Sequence, residues 1–502
     1  MAPRRARERA PVSTDHHRNL VNPFEPLQVL SEDQVAHIHE TAVRYLADEG
    51  IKVLFEEARE IFATAGCPSG DDEVVWLDPD VIAEALESAP STFEIHAPNP
   101  LRNMAIGGRN LNLLPVGGPP FVSDRAGGRR PGTLGDQENF LRLTQSFDAL
   151  AGSGPSVEPS DVPINERHLR SNFAALTLTD KVPFLFARGR DRVRDSFELV
   201  KLRMGLASDA ELAETPVCWT NINTNSPRQI DVPMSMGIID FARMGQPNIM
   251  TPFTLAGAMA PVTLAGALVL QHMEVLAAVT LAQIVRSGAP VLYGAFTSNV
   301  DMKSGSPAFG TPEAFKGAVA SGQLARHVGL PWRSSGSSAS NSVDAQAGVE
   351  TMMNTYGALL AGANWIMHAA GWQEGGLVAS YEKFIVDMEM CQMIAEICQP
   401  VRVDDTELAL EAITDVGPGG HFFGAAHTLE RFETAFYQPL VFSRTSYEQW
   451  VEEGEQTAAE RASSVCQRVL SDYKKPPIDD EIESAMSEYV ERRIAEGGAA
   501  PD

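Results

Sequence analysis

Eight short apolar segments recur along the chain at spacings of roughly 30 to 45 residues, the length of one strand plus one helix. They are LNLLPV from Leu111, DALAGSG from Asp148, VPFLF from Val182, PVCWTNI from Pro216, PNIMTPF from Pro247, PVLYGAF from Pro290, PWRSSG from Pro331 and NWIMHAA from Asn364. Stretches of helical period lie between them, and the last four of these end on Gly245, Gly288, Gly329 and Gly362. Glycine accepts the left-handed conformation that closes a helix before the next strand. Strand and helix alternating eight times predicts the α/β class and a (β/α)8 TIM barrel. A doubly wound sheet is the competing topology, but no G-x-G-x-x-G opens a helix after the first strand and no Walker A run is present.

The flanks read differently. The basic opening MAPRRARERAPVSTDHHRN is not followed by an apolar stretch, so residues 1–30 are expected to be a disordered arm and not a secretory or twin-arginine signal. Residues 31–110 predict an N-terminal α+β cap. Ser31 can cap a helix carrying Val35, Ile38, Ala42 and Leu46 on one face, and a strand, a turn at Asp78-Pro79 and a second helix stopped by Pro90 follow. The barrel is assigned to 111–380 and a helical C-terminal region to 381–502, with long helices expected over HTLERFETAFYQPLVF, EQTAAERASSVCQRVLSDY and DEIESAMSEYVERRIAE. The apolar run over 255–270 is shorter than a membrane span needs and is followed by Gln271, His272 and Glu274, so a buried helix is expected there.

Composition narrows the function. With 40 Lys and Arg against 66 Asp and Glu the net charge is −26, which repels phosphate backbones and anionic lipid surfaces. Neither nucleic acid nor membrane is an expected partner. The five cysteines (Cys67, Cys218, Cys391, Cys398, Cys466) are scattered and never in C-x-x-C spacing, which suits a reducing cytoplasm. A homo-oligomer is expected.

In a barrel of this kind chemistry sits at the C-terminal ends of the strands. The residues there are mostly amides, hydroxyls and aromatics: Asn221, Asn223, Thr224 and Asn225 after the fourth strand, Thr251 and Phe253 after the fifth, Tyr293, Phe296, Thr297, Asn299 and Asp301 after the sixth, Arg333 and a run of serines in the seventh, and His368, Trp372, Gln373 and Glu374 after the eighth. Metal hydrolysis is disfavoured, because the only H-x-H, His37 to His39, falls in the N-terminal helix. Schiff-base chemistry is disfavoured too, since the one lysine near a strand end, Lys303, lies in a polar loop. Such a pocket suits a ligand with a delocalised or permanent cation, with or without one carboxylate. Ring faces attract a quaternary ammonium by roughly 0.5 to 2 kcal/mol each, and Trp219, Tyr293, Phe296, Trp332, Trp365 and Trp372 are the candidates, with Trp219 and Trp365 the ones most suited to plain packing. Arg188 and Arg333 are candidates for the carboxylate. In DVGPGGHFFGAAHT, His421 follows a glycine-rich turn and His427 comes six residues later; with no third ligand nearby, no metal site is assigned.

The later segments carry a resemblance. VDAQAGVETMMNTYGALLAGANWI, SYEKFIVDMEM, GPGGHFFGAAHTLERF, FYQPLVFSRTSYEQW and KKPPIDDEIESAMSEYVERR closely resemble the trimethylamine methyltransferase family of corrinoid-dependent enzymes. Archaeal members of that family carry pyrrolysine in the loop after the seventh strand, whereas this chain has the standard residues SGSSASNSVDAQ from Ser335 to Gln346. The resemblance therefore implies the non-pyrrolysine branch, similar to glycine betaine methyltransferases, and transfer of an N-methyl group to Co(I) of a corrinoid, cobalamin-type cofactor. No D-x-H-x-x-G motif is present to hold a corrinoid in this chain, as Asp15-His16-His17-Arg18-Asn19-Leu20 lacks the glycine. The cofactor is thus expected on a separate corrinoid protein docking near Gly419, Gly420 and His421, with Asn223 and His368 positioning the substrate. A non-catalytic receptor for quaternary amines and a metal-dependent barrel lyase or hydrolase are the alternatives.

Overall fold

The structure, a computed structural model, describes residues 17–501. Eight parallel strands close a barrel. The first strand, Asn110–Pro115, pairs with the last, Trp365–Ala370. Trp365–Ala370 is followed around the sheet by Trp332–Ser335, Val291–Gly294, Asn248–Met250 and Thr220–Ile222. The second and third strands are held by single parallel bridges, Leu113 to Leu150, Gly152 to Val182 and Phe184 to Trp219, which complete the circle. All eight segments legible in the sequence are barrel strands. Gly245, Gly288, Gly329 and Gly362 all have positive φ, between 58° and 80°, and end their helices as expected.

Three features differ from the expected boundaries. Of residues 1–30, 17–30 are ordered against the barrel: Leu20–Val21 pairs antiparallel with the first strand, Asn22 donates to the Leu359 carbonyl, and Val29 and Leu30 donate to the Gln323 side chain. Residues 1–16 lie outside the described part. The helix Tyr381–Ile397 belongs to the barrel, because it packs on the last strand, with the Asp387 carboxylate accepting from the Gly371 amide and the Cys391 thiol meeting the Ala369 carbonyl. The first of the long C-terminal helices does not form. Only Ala426–Arg431 is helical there: Phe432 to Phe436 are exposed, with nothing of this chain to hold a further turn, and Pro439 cannot continue a helix. The other two, Ala458–Asp472 and Asp480–Ala495, are present.

The cap holds the helices Glu32–Asp48, Glu56–Thr64 and Pro79–Ser88, the first started by a Ser31–Gln34 capping box. A hairpin, Phe93–Ile95 with Met104–Ile106, seals the barrel floor. Its Ile95, Met104 and Ile106 pack with Leu114, Val182, Trp219, Ile249, Leu292 and Trp365 into one buried interior cluster. The helix Leu264–Val285 is apolar and long enough to cross a membrane by composition alone, but it is largely buried among the barrel helices. All five cysteines are free and buried.

Two small sheets wall the mouth. One joins Trp372–Gln373, Val378–Ser380, Phe121–Asp124 and Gly128–Pro131, from the loops after the last and first strands. The other joins Leu255–Ala256, Ser298–Val300 and Pro307–Ala308, from the loops after the fifth and sixth.

Candidate active site at the barrel mouth

Side chains alternate across a strand, so each barrel strand aims every second residue inward. In the sixth strand Leu292 faces the interior cluster, and Phe296, four residues on, reaches the mouth on the same side. Tyr293 faces the other way. It is fully buried in the helical layer, where its hydroxyl meets Gln271 at 3.2 Å and His272 at 2.9 Å, and burial pushes its pKa above the usual value. In the seventh strand Trp332 also faces outward, against Gly322 of the helix Pro312–His327, and its neighbour Arg333 faces in. Trp219 faces inward but deep in the barrel, its ring 4.8 Å from that of Trp365. Strand parity and depth thus remove Trp219, Tyr293 and Trp332 from the set of candidate cage residues.

Phe296 is the hub of what the mouth does contain. Its ring stacks between Phe253, at 5.0 Å, and Phe309, at 5.2 Å, and meets Trp372 edge-on at 5.9 Å. The Arg333 guanidinium carbon lies 5.5 Å from the Phe296 centroid. Trp372 in turn stacks on His368 at 5.1 Å. Four candidates, Phe296, Arg333, His368 and Trp372, are brought together. Phe309 was not singled out from sequence, because it follows a two-residue edge strand of the mouth sheet that carries no periodic signal.

Arg333 is buried, 3 % exposed, and no described residue forms an ion pair with it. The only hydrogen bond of its guanidinium is a long one, 3.4 Å, to the Ala295 carbonyl, and its Nε has no partner. Burial pushes its pKa down to about 9, so it remains protonated at neutral pH. His368 sits where the eighth strand shifts register between Ile366 and Ala370, with φ of 59°. Its Nδ1 is also unpartnered, and desolvation together with the nearby Arg333 holds its pKa well below the ordinary imidazole value. The mouth therefore pairs a buried cation lacking an anion with a neutral imidazole and a bank of rings.

Behind Phe296 and Phe309 lies a small pocket whose other walls include Ser334, Ser335 and Ser337, with the Ser335 and Ser337 hydroxyls 2.6 Å apart. At the fourth strand Asn223 is exposed on the rim and accepts from Asn221 at 2.7 Å; Asn221, on the inward register of Trp219, accepts in turn from Thr251 at 2.8 Å. The buried Glu274 fixes this loop, accepting from Thr224, Ser226 and the Arg228 amide. Arg188 is exposed at the end of the third strand. Gly419, Gly420 and His421 are exposed on a separate excursion of the chain, and the His421 ring lies 5.9 Å from that of Phe423. Among the described residues no group of three or more His, Cys, Asp or Glu side chains converges as a metal site would require.

The chain belongs to the trimethylamine methyltransferase (MTTB) family, which it matches over residues 2–498, and with its relatives it is a methyltransferase. Among its relatives, the glycine betaine methyltransferase of Desulfitobacterium hafniense (strain Y51) is 37% identical over 472 residues, covering 94% of this chain and 98% of that one. The trimethylamine methyltransferase of D. hafniense (strain DSM 10664 / DCB-2) is 30% identical, covering 94% and 95%, and that of Methanosarcina barkeri 28% identical, covering 94% and 96%. Among solved structures, the M. barkeri monomethylamine methyltransferase aligns with 10% identity over 91% of each chain, at a TM-score of 0.47.

Proposed function

We propose that the protein takes one N-methyl group from a quaternary amine that also bears a carboxylate, glycine betaine foremost, and delivers it to Co(I) of a corrinoid carried by a separate protein. The observation that carries this reading is Arg333, a buried cation with no anion of its own. A lone charge in such a place costs several kcal/mol, on the order of what a buried ion pair loses when one partner is removed. A ligand carboxylate offsets that cost by pairing with the guanidinium. The 37% identity to a glycine betaine methyltransferase points the same way.

The chemistry asks little else of the chain. A quaternary nitrogen already carries the positive charge that makes a neutral tertiary amine a leaving group, so no acid is required. The corrinoid is the acceptor substrate, and its Co(I) supplies the electron pair that forms the new bond to the methyl carbon. The C–N bond breaks with its electrons going to nitrogen, which leaves dimethylglycine from glycine betaine. The half-buried faces of Phe253 and Phe296 hold the methyl groups. The neutral His368 adds no charge to oppose the ammonium. Fixing one methyl toward the opening and keeping water out supplies the rate by proximity. Trimethylamine lacks the carboxylate and would leave Arg333 unpaired.

The test is methylation of free Co(I) cobalamin, followed by its absorbance, with glycine betaine, carnitine, proline betaine, tetramethylammonium and trimethylamine. Glycine betaine is expected to react fastest. A panel in which trimethylamine or tetramethylammonium leads overturns the substrate assignment, and tight betaine binding with no cobalt methylation overturns the reaction.

A further inference from the structure

The loop that follows the seventh strand is buried without belonging to a sheet or a helix. Ser337, Ser338 and Ser340 are each 3 % exposed or less, so the backbone there needs hydrogen-bond partners from elsewhere in the chain. The next helix, Ala345–Leu360, supplies them. One oxygen of Glu350, Oε2, accepts from the Ser338 hydroxyl at 2.8 Å, the Ala339 amide at 2.8 Å and the Ser340 amide at 3.0 Å. The other oxygen accepts from the Gln346 side chain at 2.7 Å, so all four donors are neutral groups. One helical turn further on, Asn354 donates to the Ser337 carbonyl at 2.8 Å and accepts from the Gly310 amide at 3.2 Å.

Both sides of this clamp reach the rings of the mouth. Gly310 follows Phe309, which stacks on Phe296 and meets Trp372 edge-on at 5.1 Å. With φ of 69°, Gly310 lies so close to the clamp helix that a Cβ there would stand 2.3 Å from the Glu350 Cα. On the other side, the Ser338 and Ser340 carbonyls accept from the Gly375 and Glu374 amides, both at 3.1 Å. The Trp372 ring fills the place of a side chain at the following residue, Gly376, 2.5 Å from where a Cβ would stand. Phe309 and Trp372 thus arrive on loops far apart in sequence and are tied through the 337–340 loop to one carboxylate.

We propose that Glu350 is a positioning residue of this methyltransferase: by holding the 337–340 loop it fixes Phe309 against Trp372, and so sets the fit of the Phe296 face to a quaternary ammonium. This role rests on the reading of the mouth as the donor site. What the loop requires of Glu350 is reach and not charge. An aspartate is one methylene too short to serve both amides and leaves them unpaired in a buried loop. A glutamine keeps an acceptor oxygen in place without the charge. A carboxylate that attracted the ammonium directly would show the opposite order, since its charge would then matter more than its length.

Glu350→Gln and Glu350→Asp separate the two, assayed by cobalt methylation with glycine betaine, or with trimethylamine should that prove the faster donor. Glu350→Gln is expected to keep the wild-type KM. Glu350→Asp is expected to raise KM by about 2-fold to 30-fold, the worth of one ring contact to a cation, with kcat little changed. Loss of folded protein would do the reverse, lowering the apparent kcat at constant KM. Hydrogen exchange at the Ala339 and Ser340 amides should quicken in Glu350→Asp and not in Glu350→Gln, a readout that needs no turnover. A Glu350→Gln variant impaired as much as Glu350→Asp, or both variants at the wild-type KM, overturns the proposal. If glycine betaine fails as a donor while trimethylamine separates the variants in the expected order, the substrate assignment falls and the role of Glu350 stands.

Discussion

His368 stacks on Trp372 at 5.1 Å, although the alternation of its strand would have aimed it at the helices. The register shift and the φ of 59° turn the imidazole into the mouth. A non-glycine residue in that region costs on the order of 1 to 3 kcal/mol, which the surroundings must hold in place. Asparagine tolerates this conformation, and a β-branched residue does not. His368→Asn is therefore expected to lose the stacking yet keep the bulge, whereas His368→Val should be about 1 to 2 kcal/mol less stable than His368→Asn. Urea unfolding of the two variants measures the difference.

Arg333 makes a prediction in which stability and activity move apart. Replacing a buried charge by an apolar side chain of similar length is often neutral or stabilising by about 1 to 4 kcal/mol. Arg333→Met should thus melt at or above the wild-type temperature in the absence of ligand. It should also lose the upward shift that glycine betaine gives the wild type, and kcat/KM for glycine betaine should fall at least tenfold to a hundredfold, the worth of a charged hydrogen bond at about 1.5 to 3 kcal/mol. Differential scanning fluorimetry with and without betaine reads both effects.

Ring substitutions should divide by the side of the strand they occupy. Phe296→Leu and Trp372→Leu each remove one face or its support, and KM for a quaternary substrate should rise by about 2-fold to 30-fold, matching roughly 0.5 to 2 kcal/mol per cation–π contact. Tyr293→Phe should leave KM unchanged and cost about 1 kcal/mol of stability, because its hydroxyl serves only Gln271 and His272. A raised KM in Tyr293→Phe would contradict the outward placement.

The histidines behind Tyr293 set a pH dependence. His272 is fully buried, with its Nε2 2.9 Å from His39 and the His327 ring 5.0 Å beyond that of His39. Desolvation first, then His39 and His327, hold its pKa well below 6.5; His39 is lowered by the same burial and by His327, with Glu40 opposing. These bases bind protons more readily in the unfolded chain, so stability is full above the unfolded value near 6.5 and falls as pH drops below it. Urea midpoints measured from pH 7.5 to 5 should decline in the wild type and decline less in His272→Gln.

The barrel was legible because its signals are local and repeated, eight apolar segments and four helix-ending glycines, and the first cap helix was legible from Ser31. The mouth was legible in composition but not in direction. Trp332 and Arg333 are adjacent, so only one can face inward, and nothing in PWRSSG says which; the answer depends on how the neighbouring strands set the register. The bulge at His368 obeys the same limit, as it arises from the pairing of the eighth strand with the first. Phe309 and the mouth sheets depend on contacts between loops far apart in sequence. The failed helix around Phe436 shows the reverse case, where local periodicity promised order that packing within one chain does not supply.

The hairpin carrying Ile95 and Met104 makes the barrel a cup rather than a tube. A cup has one doorway, so on the proposed reading the methyl donor takes its seat before a corrinoid protein covers the rim, and its demethylated product departs after that protein lifts away.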